Sequence, residues 1–209
     1  MNQNRVISMS NFLNMGFKGL PLQDEWKAAF GCPHLTGAWI IWGSPGNGKT
    51  RFAVQLGKHL SSFGRVAYNS LEEGRSLSLQ SAFKSENMQE CSGRMIILDK
   101  VRMPELMEML DKRRSPDIVI IDSIQYMGLT YAQYTRMIER HRNKLFILIS
   151  HADGKRPEGR IAKSIHFDAF IKVWVEGFRA FPVSRYGGGA PYTIWPEGSE
   201  KYWKGAKPL

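Results

Sequence analysis

A chain of 209 residues with 43% hydrophobic content suits one α/β domain with a substantial core and is short for two. No apolar run approaches the ~20 residues needed to span a bilayer, no signal-peptide pattern opens the chain, and Cys32 and Cys91 lack metal-ligand spacing, so a cytoplasmic protein with free thiols and no membrane partner is expected. The formal charge of +10 and pI near 9.7 suggest a polyanionic partner, but the excess is diffuse: 11 Lys/Arg to 7 Asp/Glu over residues 1–100, 8 to 6 over 101–144 and 10 to 6 over 145–209.

Residues 1–35 read as an irregular lead-in to a single domain spanning 36–209. Phe12, Leu13, Met15, Phe17, Leu20 and Leu22 are apolar, and Gly16, Gly19 and Pro21 break any long helix. A short helix is predicted from Gln23 to Phe30, with Asp24 and Glu25 in its first turn and Gly31 after it. The apolar side chains are expected to cover the domain's own sheet edge. The other reading makes the lead-in an oligomerisation segment docked on a neighbouring subunit.

Ala38 to Trp42 is a predicted buried strand. It runs into Gly43-Ser44-Pro45-Gly46-Asn47-Gly48-Lys49-Thr50, which fits G-x-x-x-x-G-K-[ST], and a helix-like run from Arg51 to Leu60 follows. Strand, glycine loop and helix in that order are the setting of a phosphate-binding loop. Its glycines let backbone N–H groups approach phosphate oxygens, and the helix N-terminus adds a partial charge of about half an electron. Lys49 can reach the terminal phosphates, and the Thr50 hydroxyl can ligate Mg2+. Residues 43–51 are therefore the candidate nucleoside-triphosphate site, with Arg51 at its end.

Arg65 to Ser70 is a second predicted strand, and Glu73 to Lys84 a helix with Leu77, Leu79, Ala82 and Phe83 inside. Met95 to Leu98 is a third strand, and Pro104 opens a helix reaching Leu110. Asp117 to Asp122 is a buried strand ending in a carboxylate. Thr130 caps a helix to about His141, and Leu145 to Ser150 is a further buried strand. Continuous apolar strands alternating with helices indicate a parallel sheet covered on both faces. Phe170 to Val175, Phe178 to Val183 and Tyr192 to Trp195 are strand-like runs between glycine turns, with no room for crossover helices. They are expected to form an antiparallel extension on one edge. Trp195, Tyr202 and Trp203 should pack back onto the sheet.

Ile118 to Asp122 delivers an acid to the sheet's carboxyl edge in the form of a Walker B strand. Asp122 is expected to hold Mg2+ together with Thr50, through water. Glu72 and Glu73 follow the second strand. Ligands of open α/β sheets sit at the strands' carboxyl ends, so these acids should face the γ-phosphate, where one can polarise the attacking water. His141, His151 and His166 lack metal-ligand spacing.

The phosphate loop, Asn69-Ser70-Leu71-Glu72-Glu73, Ile121-Asp122-Ser123-Ile124-Gln125 and Ile149-Ser150-His151 together resemble the RecA-like ATPases, in their RadA/Sms, KaiC-like and DnaB-core branches. The resemblance covers about residues 36–195. It implies an α/β RecA-like P-loop NTPase fold, a mainly parallel sheet flanked by helices with a C-terminal antiparallel extension, which hydrolyses ATP with Mg2+. The family's catalytic glutamate follows the second strand in Ser-x-Glu settings, which maps onto Glu72, with Glu73 the alternative base. Lys49 and a γ-phosphate sensor, His151 or Ser150, join the catalytic set. Ile161 to Asp168 resembles the segment leading to the aspartate before the next RadA strand.

The resemblance further implies a homo-oligomer, a ring (a hexamer above all) or a filament, with the nucleotide at a subunit interface. A neighbour then supplies basic fingers from a Lys-x-Arg-aromatic-Gly segment. Here that stretch is Val183-Ser184-Arg185-Tyr186-Gly187, where Arg185 is present but Val183 holds the lysine position; Arg179 is the alternative finger. The loop from Ala152 to Arg160 corresponds to one that faces DNA in the family. Lys155, Arg156, Arg160 and Lys163 are its candidate contacts to single-stranded DNA, although Asp153 and Glu158 also suit a plain solvated loop. Tyr126, Tyr131 and Tyr134 either stack on bases or pack inside. The expected function is an ATP-driven motor, recombination or replication factor on single-stranded DNA. The alternative is a KaiC-like assembly that switches a protein partner without DNA.

Overall fold

The computed structural model describes residues 6–204. Five strands match the apolar runs: β1 (Gly37–Trp42), β2 (Val66–Ser70), β3 (Met95–Asp99), β4 (Ile118–Asp122) and β5 (Leu145–Ser150). β6 (Ala152–Asp153) and β7 (Arg156–Pro157) pair as a separate small hairpin. β8 (Ile171–Glu176), β9 (Arg179–Ser184) and β10 (Tyr192–Thr193) complete the main sheet, whose order is β10-β9-β8-β1-β5-β4-β2-β3.

β1 and β5 are buried along nearly their whole length because helices cover both faces of the sheet. Alternate residues of each strand point to opposite faces, so one strand feeds two cores. Trp39, Ile41, Tyr68, Ile120 and Ile147 face α3 (Lys49–Leu60) through Phe52 and Leu56, and α2 (Asp24–Phe30) through Phe30. Ile40, Val119, Ile121, Phe146 and Leu148 face the other side. There α5 (Met103–Asp111) contributes Leu106, α7 (Tyr131–Arg140) Met137, and α8 (Arg160–Asp168) Ala162 and Ile165. As the spacing suggests, Pro104 lies in the first turn of α5, and Thr130 closes a capping box with Gln133 at the start of α7.

Three differences from the sequence reading have plain causes. The stretch before β8 holds α8, a crossover that brings β8 parallel to β1, so in the main sheet only the β8–β9 and β9–β10 pairings are antiparallel. Nine residues with two buried positions give little periodicity to read. The helix α4 (Leu77–Ser85) starts four residues later than expected because the Ser76 hydroxyl accepts from Leu79 N, at 3.0 Å, and caps it there. Leu77 consequently stands 79% exposed rather than inside.

The lead-in divides in two. Leu20, Leu22, Ala29 and Phe30 are buried, and the Phe30 ring lies 5.2 Å from that of Trp39. The apolar residues before them do not cover the sheet edge: α1 (Met9–Leu13) buries nothing, and Met9, Leu13 and Phe17 are 70%, 73% and 58% exposed. At the other end, α9 (Pro196–Trp203) does pack back, with Trp203 Nε1 donating to Gly177 O at 3.1 Å. Among the described residues, no helix is long and apolar enough to cross a membrane.

Phe30→Ala should lower unfolding stability by about 3–5 kcal/mol, read from urea denaturation, because Phe30 is fully buried against the sheet. A loss below about 1 kcal/mol would show that α2 is dispensable to the core.

Candidate active site

Every parallel strand ends at one edge, and the glycine loop begins there between β1 and α3. Gly46 and Gly48 have φ of 76° and 97°, which glycine adopts without strain. The loop lies hard against β8, since a Cβ on Gly43 would come within 2.2 Å of Val175 O. The β8–β9 turn buttresses it: Gly177 N donates to Asn47 Oδ1 at 2.7 Å, and Phe178 N to Asn47 O at 3.3 Å. Asn47 Nδ2 also donates to Pro45 O at 3.1 Å. Lys49 Nζ donates to Ser44 O at 3.0 Å, folded over its own loop. Burial pulls the Lys49 pKa down, against the opposing pull of Asp122 and Glu72.

Asp122 ends β4 beside β2, and Tyr68 Oη donates to its Oδ2 at 2.5 Å. The Asp122 carboxyl is pushed up to about 6, above all by burial, with the Tyr68 bond and Lys49 lowering it and Glu72 and Glu73 raising it. Burial above all pushes the Tyr68 phenol well above its usual range. The Asp122 carbonyl accepts from both Leu71 N, at 2.6 Å, and Glu72 N, at 3.2 Å. These bonds turn the chain after β2 back across the end of β4.

Glu72 Oε2 then lies 3.1 Å from His151 Nε2, which also sits 3.4 Å from Ser123 Oγ. Glu158 Oε2 flanks His151 Nδ1 at 3.5 Å. Gln125, at the start of the short helix α6 (Ile124–Met127), ties the ends of β4 and β5 together. Its amide donates to Ser150 Oγ at 2.8 Å and to Glu158 O at 3.1 Å, and accepts from His151 N at 3.3 Å. Glu73 instead accepts from Ser76 Oγ at 2.7 Å, where it braces the start of α4.

No protein-family model matches the chain, and no curated protein matches it. Solved structures do. The flagellar accessory protein FlaH from Methanocaldococcus jannaschii aligns with TM-score 0.59 at 16% identity, over 81% of this chain and 90% of that one. The KaiC-like protein PH0186 from Pyrococcus horikoshii OT3 gives 0.52 at 21%, over 73% and 79%. A solved ATPase domain gives 0.53 at 16%, over 78% and 83%. The chain has the RecA-like fold. At these identities the likeness carries the fold, and the chemistry rests on the side chains.

The RecA-like frame gathers Lys49, Glu72, Asp122 and His151 at one edge and leaves other candidates elsewhere. Arg51 flanks the loop, paired with Glu86 and lying 5.7 Å from the Trp195 ring. β9 pairs Ser184 with Ile171, which puts Arg185 at the opposite, amino edge, its guanidinium 5.2 Å from the Phe170 ring. Arg179, at the carboxyl edge, donates to Ser199 Oγ at 2.7 Å. Lys155, Arg156, Arg160 and Lys163 are exposed on the β6–β7 hairpin and α8, directly after His151. Tyr134 is 3% exposed and belongs to the core, whereas Tyr126 and Tyr131 are 43% and 49% exposed.

The donor set fits Mg2+. Thr50 and Asp122 offer hard oxygen ligands, and the acids crowding Asp122 are what a cation would relieve. Sequence reasoning missed Tyr68 and the Asn47 buttress, because each acts through a partner distant in the chain, and read Glu158 only as part of a solvated loop although its partner His151 is near in sequence. Only Gln125 carried a signal, as part of the segment after Asp122.

In metal-free solution the Asp122 carboxyl titrates near 6 in the folded protein, against an ordinary value of 3.8. The folded state is therefore favoured below the ordinary value and loses that advantage as pH rises through about 6. Asp122→Asn should melt above the wild type at pH 8 in EDTA, with the gap closing near pH 4. Parallel melting profiles across that range would contradict it.

Proposed function

We propose that this chain is a Mg2+-dependent ATPase that assembles into a ring or filament, in the ring form a hexamer, and acts on single-stranded DNA. The observation that carries the reading is Glu72 held 3.1 Å from His151 on the edge shared with Lys49 and Asp122. The loop's backbone N–H groups and the N-terminus of α3 would cradle the phosphates, and Lys49 would exchange Ser44 O for a phosphate oxygen. Thr50 and Asp122 would hold Mg2+, which neutralises charge on the phosphates. Glu72 would polarise the attacking water as general base, and His151 would report the γ-phosphate to Glu158 and the hairpin beyond it.

Two features support assembly and DNA contact. The exposed apolar side chains of residues 6–17 have the character of a segment that docks on a second copy, and Arg185 stands free of its own nucleotide site, as an arginine finger supplied to a neighbour would. Lys155 and Arg156 project from the hairpin next to His151. Near them a cavity of about 560 Å³ between α7 and α8 is lined by Tyr131 and Arg160. A strand could be gripped there by phosphate contact and stacking.

Glu72→Gln should cut steady-state ATP hydrolysis by about 100-fold or more, the scale of a lost general base, while Glu73→Gln stays within a few-fold. The reverse ranking would move the base to Glu73. Single-stranded oligonucleotide should raise the wild-type rate several-fold. No stimulation, with no salt-sensitive binding, would sink the DNA reading and leave the KaiC-like switch.

A further inference from the structure

The amino edge of the sheet, opposite the nucleotide site, concentrates basic charge. Register aligns Val66 with Met95 and Ile118, and Ile118 with Leu145, so the entrances of β3, β2, β4 and β5 stand side by side. Arg94 and Arg65 directly precede β3 and β2. The turn into β4 carries Lys112, Arg113 and Arg114, and the turn into β5 carries Arg142. All six are exposed, and among the described residues none of them forms an ion pair.

The neighbouring acids are already committed. Asp117 Oδ2 accepts from Arg65 N at 2.9 Å, Asp111 accepts from Arg140 at 2.9 and 2.5 Å, and Glu90 pairs with Lys58 at 3.0 Å. Between the two basic turns lies a cavity of about 400 Å³ lined by Lys112, Arg114, Lys144 and His141 and by the carboxylates Asp111 and Asp117. His141 is only 5% exposed, and its Nε2 lies 3.7 Å from Asp111 Oδ1, so the cavity has mixed charge and the exposed cations around it carry the argument.

We propose that this amino-edge face binds the phosphate backbone of a nucleic acid, apart from the nucleotide site and from the hairpin. Four adjacent strands span roughly 14 Å at the usual strand spacing, which is too long a row for one phosphate and suits several in succession. Five of the six cations are arginines, whose planar forks grip phosphate oxygens bidentately. None of the large exposed apolar side chains lies in these turns, so the face has nothing to insert into a lipid surface. Backbone contacts of this kind are blind to base sequence.

The test is fluorescence anisotropy of a labelled 30-base oligonucleotide, single-stranded and as duplex, at several salt concentrations. Arg113→Glu/Arg114→Glu/Arg142→Glu should weaken binding at least about tenfold at low salt. It should also flatten the log–log salt slope by about 2 to 3, at roughly 0.7 to 0.9 for each phosphate no longer neutralised. The milder Arg113→Gln/Arg142→Gln pair, chosen to keep the wild-type melting midpoint, should flatten it by about two-thirds as much. ATP hydrolysis without DNA should be unchanged in both variants, which separates this face from the catalytic reading. Changing Lys155, Arg156, Arg160 and Lys163 to Ala should leave the amino-edge share of the slope in place. The proposal is overturned if the charge-reversed and Gln variants bind with wild-type affinity and slope. It is equally overturned if the hairpin variant alone removes all salt-dependent binding, or if the amino-edge variants lose binding to phosphatidylserine vesicles and keep it to oligonucleotide.

Discussion

The carbonyl of Asp122 accepts two backbone N–H groups, those of Leu71 and Glu72, and the candidate site depends on that pair of bonds. A parallel sheet brings all its strand ends to one edge, but it does not decide where the chain goes next. Here the exit from β2 is turned across the end of β4. Glu72 therefore faces His151, and Glu73 is left to brace the start of α4. Two adjacent acids of the same type acquire different jobs from one acceptor atom.

The same edge is electrostatically unfinished in a consistent way. Burial, and to a lesser degree Glu72 and Glu73, raises the Asp122 carboxyl, burial lowers Lys49, and the Lys49 ammonium is occupied by a carbonyl of its own loop. A polyphosphate accompanied by a divalent cation would relieve each of these. The β8–β9 turn, clamped on Asn47, makes the loop answerable to the C-terminal strands. The Gln125 amide makes the His151 end of β5 answerable to β4. The amino edge differs in that six exposed cations form no ion pair among the described residues, while the acids beside them are already bonded.

Local motifs were legible because their physics is local. The glycine loop needs its own residues in its own order, and the buried strands need only be continuously apolar. The readings that failed needed partners. Leu77 looks internal by composition, but Ser76 starts the helix so that Leu77 faces solvent. The lead-in looks uniform, yet only its second half meets the sheet. α8 left too weak a period to be seen, and with it went the parallel direction of β8.

The amino-acid sequence by itself determined a phosphate loop, an acid at the end of a buried strand and an alternating α/β chain, because short-range sterics and burial periodicity are written residue by residue; its RecA-like character was implied by the resemblance of its motifs to that family. Only the tertiary structure decided that Glu72 rather than Glu73 meets His151, that Tyr68 and Gln125 belong to the site, and that Arg185 lies at the far edge. Those outcomes depend on strand order and register, which bring together residues about 30 to 80 positions apart, and no local pattern encodes that distance.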